Sequence, residues 1–273
     1  MPATHGIVAW QQAHLLATAS ALMLIVVLPV FGMCAWFAWH YRSSNTRAAY
    51  TPEWDYSLPI DVTIWLVPGL LISVLGAMVW VYSHRLDPYK ALPSPGKPIE
   101  VQVIAQDWKW LFLYPEQHIA VVNELVFPSD RPLSLKLTSD TVMNSFHIPG
   151  LGGQIYVMAG MQTELHLKAD GDADFIGRNL QFSGEGFSGQ TFLVHATSSG
   201  GFAAWLNRVK ASNRPLNEAA YAALRRPSSK IPATYYSEYD PQLYDRVIAR
   251  YVNRRDHAPQ PSVTTAFPPG AHY

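Results

Sequence analysis

The chain has 273 residues, and its 20 Lys and Arg residues balance its 20 Asp and Glu residues, so the formal net charge is zero. Nucleic-acid binding depends on a strongly basic surface, so this balance argues against that class of function. Only 15% of the residues are charged and 49% are hydrophobic, whereas soluble domains have about a quarter charged residues. A single cysteine, Cys34, excludes an intrachain disulfide and a cysteine-rich metal site.

Two long uncharged runs predict two membrane-spanning helices. After an N-terminal segment over residues 1–14, the first run covers residues 15–41 and the second covers residues 62–84, and neither contains Asp, Glu, Lys or Arg. About 20 apolar residues are enough to cross the hydrocarbon core of a bilayer. The alternative, a pair of buried core helices in a large soluble protein, is disfavoured because the runs are so long and carry no charge.

The loop between the two runs, residues 42–61, contains Arg42 and Arg47 as its only basic residues. Cytoplasmic loops are enriched in Lys and Arg, so this loop is predicted to lie inside the cell, with both ends of the chain outside. A proline-rich linker over residues 85–96 is then expected to lead into an exported domain.

Short alternating segments predict a β-sandwich over residues 97–200. The clearest of them places Leu133, Leu135 and Leu137 on one face of a strand, and turn residues separate such segments about every ten residues. From Gly201 the apolar residues recur with helical spacing, which predicts C-terminal helices over residues 201–255. The remaining residues, 256–273, are rich in proline and are predicted to be disordered.

Three segments resemble subunit II of the haem-copper oxidases, and specifically the bo-type ubiquinol oxidase branch. They read AQDWKWLFLYPEQ, TSDTVMNSFHIPGLGGQIYVMAGMQTELHL and QFSGEGFSGQTFLVHAT. The resemblance implies a membrane α-helical hairpin plus an all-β domain: two transmembrane helices, a cupredoxin-like β-sandwich and a short helical C-terminal region.

In the cytochrome c oxidase branch, this sandwich holds a dinuclear copper centre whose ligands include two cysteines in a C-x₃-C loop and two histidines. The resemblance places Asn144 at the first histidine, Gly184 and Ser188 at the two cysteines, and Phe192 at the second histidine. Thiolates bridge the two copper ions, and the domain has no cysteine. The chain itself is therefore expected to bind neither metal nor cofactor.

Other metal donors remain in the domain, namely His147, His166, His195 and Met158. They lie on separate segments without a ligand spacing, which favours ordinary surface or interface histidines over a cryptic metal site.

Two tryptophans in the DWKW stretch, Trp108 and Trp110, are interface candidates. The corresponding aromatic residue of the copper branch receives electrons from cytochrome c. Without copper behind them, a packing or docking role is expected here instead.

The resemblance further implies an accessory subunit of a proton-transporting oxidase that oxidises ubiquinol and reduces oxygen to water, without cytochrome c. Haem and copper would lie in the catalytic subunit I, and subunits III and IV would complete the complex. The complex would lie in the bacterial inner membrane, with the sandwich in the periplasm.

Asp61, at the inner end of the second span, is the proton-entry candidate. In the family an acidic residue at this position lies near a proton-uptake channel of the catalytic subunit. The alternative is an acid that merely complements the dipole of the helix.

Two other functions remain as alternatives. One is a copper-containing cytochrome c oxidase subunit, which the missing thiolates disfavour, and the other is a membrane-tethered binding or assembly module.

Overall fold

The computed structural model of the protein describes residues 4–46, 49, 51–92 and 96–256. The disordered tail predicted over residues 256–273 lies outside the described residues, except that Asp256 ends the last helix. The order of elements confirms the predicted fold class, because a pair of apolar helices precedes a β-sandwich and short C-terminal helices.

Two helices, α1 (Ile7–His40) and α2 (Leu58–Arg85), are long and apolar enough to cross a membrane. Their most apolar stretches are not covered by the rest of the chain. The helices are longer than the predicted spans, since α1 begins eight residues before residue 15 and α2 begins four residues before residue 62. Pro59 is the second residue of α2, where the absence of an N–H group costs no hydrogen bond.

The first turns of α1 are fixed to the sandwich, which explains why the helix begins so early. The backbone N–H of His5 donates to the carbonyl oxygen of Gly150 at 3.0 Å, and the N–H of Asp170 donates to the oxygen of His5 at 2.8 Å. Gly152 has a φ of +79°, and a Cβ atom there would lie 2.8 Å from the Cα of Ala9. A glycine at this position therefore allows α1 to approach the sheet closely.

The sandwich consists of two sheets. The strands of the six-stranded sheet are, in spatial order, β12 (Thr234–Tyr236), β3 (Ile119–Val122), β2 (Lys109–Tyr114), β1 (Ile99–Gln106), β5 (Leu133–Ser139) and β8 (Thr163–Leu167). The strands of the five-stranded sheet are β4 (Glu124–Pro128), β10 (Thr191–Thr197), β9 (Ala173–Asn179), β6 (Asn144–Ile148) and β7 (Gly152–Val157). The pairs β1–β5 and β4–β10 are parallel, and the other pairs are antiparallel.

The segment IAVVNELVFP, which the alternation predicts as one strand, divides into β3 and β4 in different sheets. The division falls at Asn123, whose φ is 57°, and asparagine tolerates this left-handed conformation better than most residues do. Its side chain accepts a hydrogen bond from the N–H of Trp110 at 2.9 Å and donates one to the oxygen of Ile231 at 3.0 Å. The crossing between sheets is therefore held by one asparagine.

The C-terminal region contains strands as well as helices. Its elements are α3 (Ser199–Lys210), β11 (Pro215–Leu216), α4 (Glu218–Leu224), β12, β13 (Glu238–Tyr239) and α5 (Leu243–Asp256). The C-terminal region is continuous with the sandwich, because β12 pairs with β3 and extends the six-stranded sheet. In addition, α3 buries Phe202, Trp205 and Val209 in the core of the sandwich.

Candidate functional site

Three strand ends and one loop meet at one pole of the sandwich. Asn144 is the first residue of β6, Asn179 is the last residue of β9, and Gln190 directly precedes β10. Ser183 lies in the loop between β9 and β10. These four residues, called here the amide network, are joined by hydrogen bonds among their side chains.

The geometry of the amide network is tight. The Nδ2 of Asn179 donates to Oδ1 of Asn144 at 2.8 Å and to Oε1 of Gln190 at 2.9 Å. The Nε2 of Gln190 also donates to Oδ1 of Asn144, at 3.0 Å, and the hydroxyl of Ser183 donates to Oε1 of Gln190 at 3.0 Å. The two asparagines and Gln190 are buried, with exposed fractions of 0%, 4% and 1% in chain order. The side chains therefore satisfy one another in the interior.

This donor set does not fit a dinuclear copper centre. Copper of that kind needs thiolate ligands, whereas the network offers neutral amides and one hydroxyl whose oxygens already accept hydrogen bonds from within the cluster. Among the residues that the structure describes, there is no group of three His, Cys, Asp or Glu side chains that could hold a metal ion.

Of the four positions that the resemblance assigns to copper ligands, only Asn144 belongs to the amide network. Two other members of the network, Asn179 and Ser183, lie five residues before Gly184 and Ser188. Phe192 is a core residue whose ring stacks on that of another phenylalanine, with ring centroids 5.0 Å apart.

Gly184 and Ser188 lie outside the network. Gly184 has a φ of +108° and lies against the ring of Trp108, and Ser188 is exposed on the rim of a surface cavity.

The two tryptophans of the DWKW stretch differ in their surroundings. Trp108 is half-buried, its Nε1 donates to the oxygen of Ser183 at 3.0 Å, and Gly186 packs against its ring so closely that a Cβ atom would clash. Trp110 has no exposed surface, and its ring packs edge-on against Phe146 in the core. Of the two roles expected for Trp110, packing agrees with this burial and docking on a partner does not.

A buried carboxylate that the sequence analysis missed holds the C-terminal helices on the same pole. The side chain of Asp140 is fully buried and accepts hydrogen bonds from Tyr221 Oη at 2.7 Å, Arg225 Nε at 2.9 Å, Arg250 Nη1 at 3.0 Å and Tyr251 Oη at 3.0 Å. Burial raises the pKa of Tyr221, and the negative charge of Asp140 raises it further. The four donors come from α4, α5 and the residue that ends α4.

The three histidines lie apart and have separate partners. His147 Nδ1 lies 2.9 Å from the oxygen of Gly153, and His166 Nδ1 lies 3.1 Å from the oxygen of Pro88. His195 Nδ1 lies 2.6 Å from a carboxylate oxygen of Asp174. A carbonyl oxygen can only accept, so the facing nitrogens of the first two rings carry protons and are not free to bind metal.

Met158 lies apart from these rings as well. The Oγ1 of Thr138 donates to its backbone oxygen at 3.5 Å.

Asp61 lies in the first turn of α2, and its backbone N–H donates to the oxygen of Ser57 at 2.9 Å. A carboxylate in the first turn complements the dipole of the helix, so the position agrees with that interpretation. A half-buried side chain at the end of a spanning helix is equally compatible with a role in proton entry.

The fold and the site together define a class of protein: a membrane-type helical hairpin that carries a β-sandwich with amides at its pole. The family model of the COX Aromatic Rich Motif matches residues 210–254, which contain α4, most of α5 and all four donors to Asp140.

Curated relatives match over most of the chain. It is 48% identical over 251 residues to cytochrome bo(3) ubiquinol oxidase subunit 2 of Pseudomonas aeruginosa, covering 92% of this chain and 76% of the relative. It is 46% identical to ubiquinol oxidase subunit 2 of Acetobacter aceti, covering 88% of this chain and 78% of the relative. The chain belongs to the ubiquinol oxidase subunit 2 family.

Among solved structures, the periplasmic domain of subunit II of cytochrome oxidase from Bradyrhizobium japonicum is 19% identical with a TM-score of 0.42. That match covers 44% of this chain and 99% of the solved one.

Proposed function

We propose that this chain is the accessory subunit 2 of a quinol-oxidising terminal oxidase in the bacterial inner membrane. The complex oxidises ubiquinol, reduces oxygen to water and moves protons across the membrane. The observation that carries the proposal is the 48% identity to a ubiquinol oxidase subunit 2 over 92% of the chain. The amide network supports it, because Asn144, which stands at a histidine position of the copper branch by the resemblance, is engaged with neutral amides and not with thiolates.

The chain contributes structure rather than redox chemistry. Haem and copper are assigned to the catalytic subunit I, since the amide network does not fit copper. The apolar faces of α1 and α2 are left uncovered by the chain itself, so they can pack against subunit I and against subunits III and IV. The loop after α1 lies in the cytoplasm, and the sandwich lies in the periplasm above the catalytic subunit.

Asp61 is proposed to collect protons at the cytoplasmic end of α2. A carboxylate at the membrane boundary can pass protons to a water-filled channel in a neighbouring subunit. The exposed position of α2 leaves room for such a neighbour beside the half-buried Asp61.

Purification of the tagged full-length chain from membranes in mild detergent tests the assignment. We expect a larger haem-containing subunit to co-elute in equal amount, together with a haem absorption spectrum. A chain that elutes alone and without haem would contradict the proposal and favour a membrane-tethered module.

A further inference from the structure

A cavity of about 360 Å³ lies where the two helices meet the sandwich. Its walls come from the first turn of α1, from the segment that follows α2, and from β8 together with the residues after it. The first turn of α1 contributes Ile7 and Val8, and the other two walls contribute Leu86 and Leu165. This space is called here the juxtamembrane cavity.

The lengths of the helices place this cavity at the surface of the bilayer. With a rise of 1.5 Å per residue, the 34 residues of α1 extend about 51 Å, against a hydrocarbon core of about 30 Å. The surplus at the N-terminal end is the part that packs on the sandwich. The cavity therefore lies at the height of the lipid headgroups, provided that both helices span the membrane as the proposed function requires.

Cationic side chains outnumber acidic side chains in the lining. Arg85, Lys90 and Lys168 all line the cavity, and none of them forms an ion pair with another described residue. Asp87 and Asp170 are the acids of the lining, so the local balance is one positive charge. A single negative charge, such as that of a phosphodiester, would complement it.

His166 holds the cavity open in a fixed shape. Its backbone N–H donates to the oxygen of Pro88 at 3.3 Å, and its Nδ1 lies 3.1 Å from the same oxygen. Its Nε2 lies 3.4 Å from Oγ of Ser134. Because both ring nitrogens have partners, His166 is not free to bind a ligand. Its contacts with Pro88 hold the segment that contains Lys90 beside β8, which Lys168 directly follows.

We propose that the juxtamembrane cavity binds the headgroup of an anionic phospholipid of the outer leaflet, phosphatidylglycerol in particular. The phosphate contacts Arg85, Lys90 and Lys168, and the glycerol backbone and first methylene groups contact Ile7 and Leu86. Basic pockets between spanning helices bind anionic lipid headgroups on the cytoplasmic or matrix side of other membranes, and the same pairing of charges would operate at the outer leaflet. The lipid would then fill the joint between the helical hairpin and the sandwich.

The test uses the intact purified oxidase complex, delipidated in detergent and incubated with phosphatidylglycerol or phosphatidylcholine of the same chain length. Retained lipid is then counted by native mass spectrometry. The double variant Lys90→Gln, Lys168→Gln removes two of the cations. Lys210→Gln, at the exposed end of α3, is the matched control. We expect the double variant to bind phosphatidylglycerol about thirtyfold more weakly, and the control to bind as the native complex does.

Three results would overturn the inference. They are equal retention of the two lipids by the native complex, unchanged binding in the double variant, and displacement of phosphatidylglycerol by millimolar inorganic phosphate, which would reveal a site for free anions. Haem content and ubiquinol oxidation are measured on the same samples. A complex that is active but fails the lipid test refutes this inference alone. A purified preparation that contains this chain but no haem-bearing subunit refutes the proposed function.

Discussion

The side-chain amide of Asn179 donates a hydrogen bond to Oδ1 of Asn144 across 2.8 Å, joining the end of β9 to the start of β6. The same asparagine accepts hydrogen bonds from the backbone N–H groups of Ser145 at 2.8 Å and of Gln181 at 3.0 Å. Asn179 thus ties two strands and a loop together, next to Asn144, where the resemblance would put a copper ligand.

Replacing Asn179 by alanine should destabilise the sandwich strongly. The change removes one hydrogen bond each from Asn144 and Gln190 and leaves the buried N–H of Ser145 unpaired, and an unpaired buried group costs about 1–3 kcal/mol. We expect the free energy of unfolding to fall by about 3 kcal/mol and the unfolding temperature by roughly 6–12 °C. Ser188→Ala, at an exposed position of the same loop, should stay within about 0.5 kcal/mol of the native protein. Equal stability of both variants would show that the network is dispensable.

Replacing Asp140 by asparagine should loosen the C-terminal helices. The variant removes the charge that Arg225 and Arg250 share while it keeps the size of the side chain. We expect faster cleavage between α4 and β12 in limited proteolysis, and a loss of about 2 kcal/mol in unfolding free energy. Asp240→Asn breaks an exposed ion pair with Arg246 and should leave both measurements unchanged. An Asp140→Asn chain with native protease resistance would refute the anchoring role.

Stability should decrease at alkaline pH because of buried tyrosines such as Tyr239. Burial raises the pKa of Tyr239 from 10.0 to about 12, so between pH 10 and 12 the unfolded chain loses this proton while the folded chain keeps it. The unfolded state then binds fewer protons, and the free energy of unfolding falls as the pH rises. Below pH 10 the raised pKa of Tyr239 contributes about 2 kcal/mol to the free energy of unfolding. This contribution is lost between pH 10 and pH 12.

The variant Tyr239→Phe tests this assignment. Between pH 9 and 12 the native protein should lose about 2 kcal/mol of unfolding free energy that the variant does not lose. The unfolding free energy of both proteins is measured by denaturant titration at each pH. Tyr156→Phe, at a half-exposed position on β7, is the control and should follow the native curve. A parallel decline of native and Tyr239→Phe chains would exclude Tyr239 as a cause.

Replacing Asp61 by asparagine should slow oxygen reduction without impairing assembly. Losing the carboxylate that collects protons is expected to reduce turnover about fivefold, which corresponds to about 1 kcal/mol in the barrier. Oxygen uptake and proton uptake are measured on complexes with equal haem content. Asp55→Asn, in the loop before α2, should retain native turnover. If Asp61→Asn does so too, Asp61 contributes only to the helix dipole.

Local patterns were sufficient to predict some elements and not others. The alternation of Leu133, Leu135 and Leu137 correctly predicts β5, since only one of its faces is fully buried. In contrast, all six residues of β2 are buried, because the aromatic C-terminal region covers its outer face. A strand buried on both faces shows no alternation, and this is why the sequence leaves packing and docking open for Trp110.

The site needed long-range information that a single sequence does not provide. Asn144 and Asn179 lie 35 residues apart, and their contact depends on the pairing of β6 with β9. Neither of these strands was predicted, because β6 has only five residues and the buried positions at the end of β9 are Gly177 and Asn179 instead of large apolar residues. The absence of thiolates, by contrast, could be read from composition alone, since the only cysteine is Cys34 in α1.

The most direct measurement of the central claim is oxygen uptake by the purified complex with two alternative electron donors. With ubiquinol, we expect rapid oxygen consumption that depends on the presence of this chain. With reduced cytochrome c, we expect no consumption above that of the buffer, because the amide network cannot carry electrons. Rapid oxygen uptake with cytochrome c and none with ubiquinol would contradict the account.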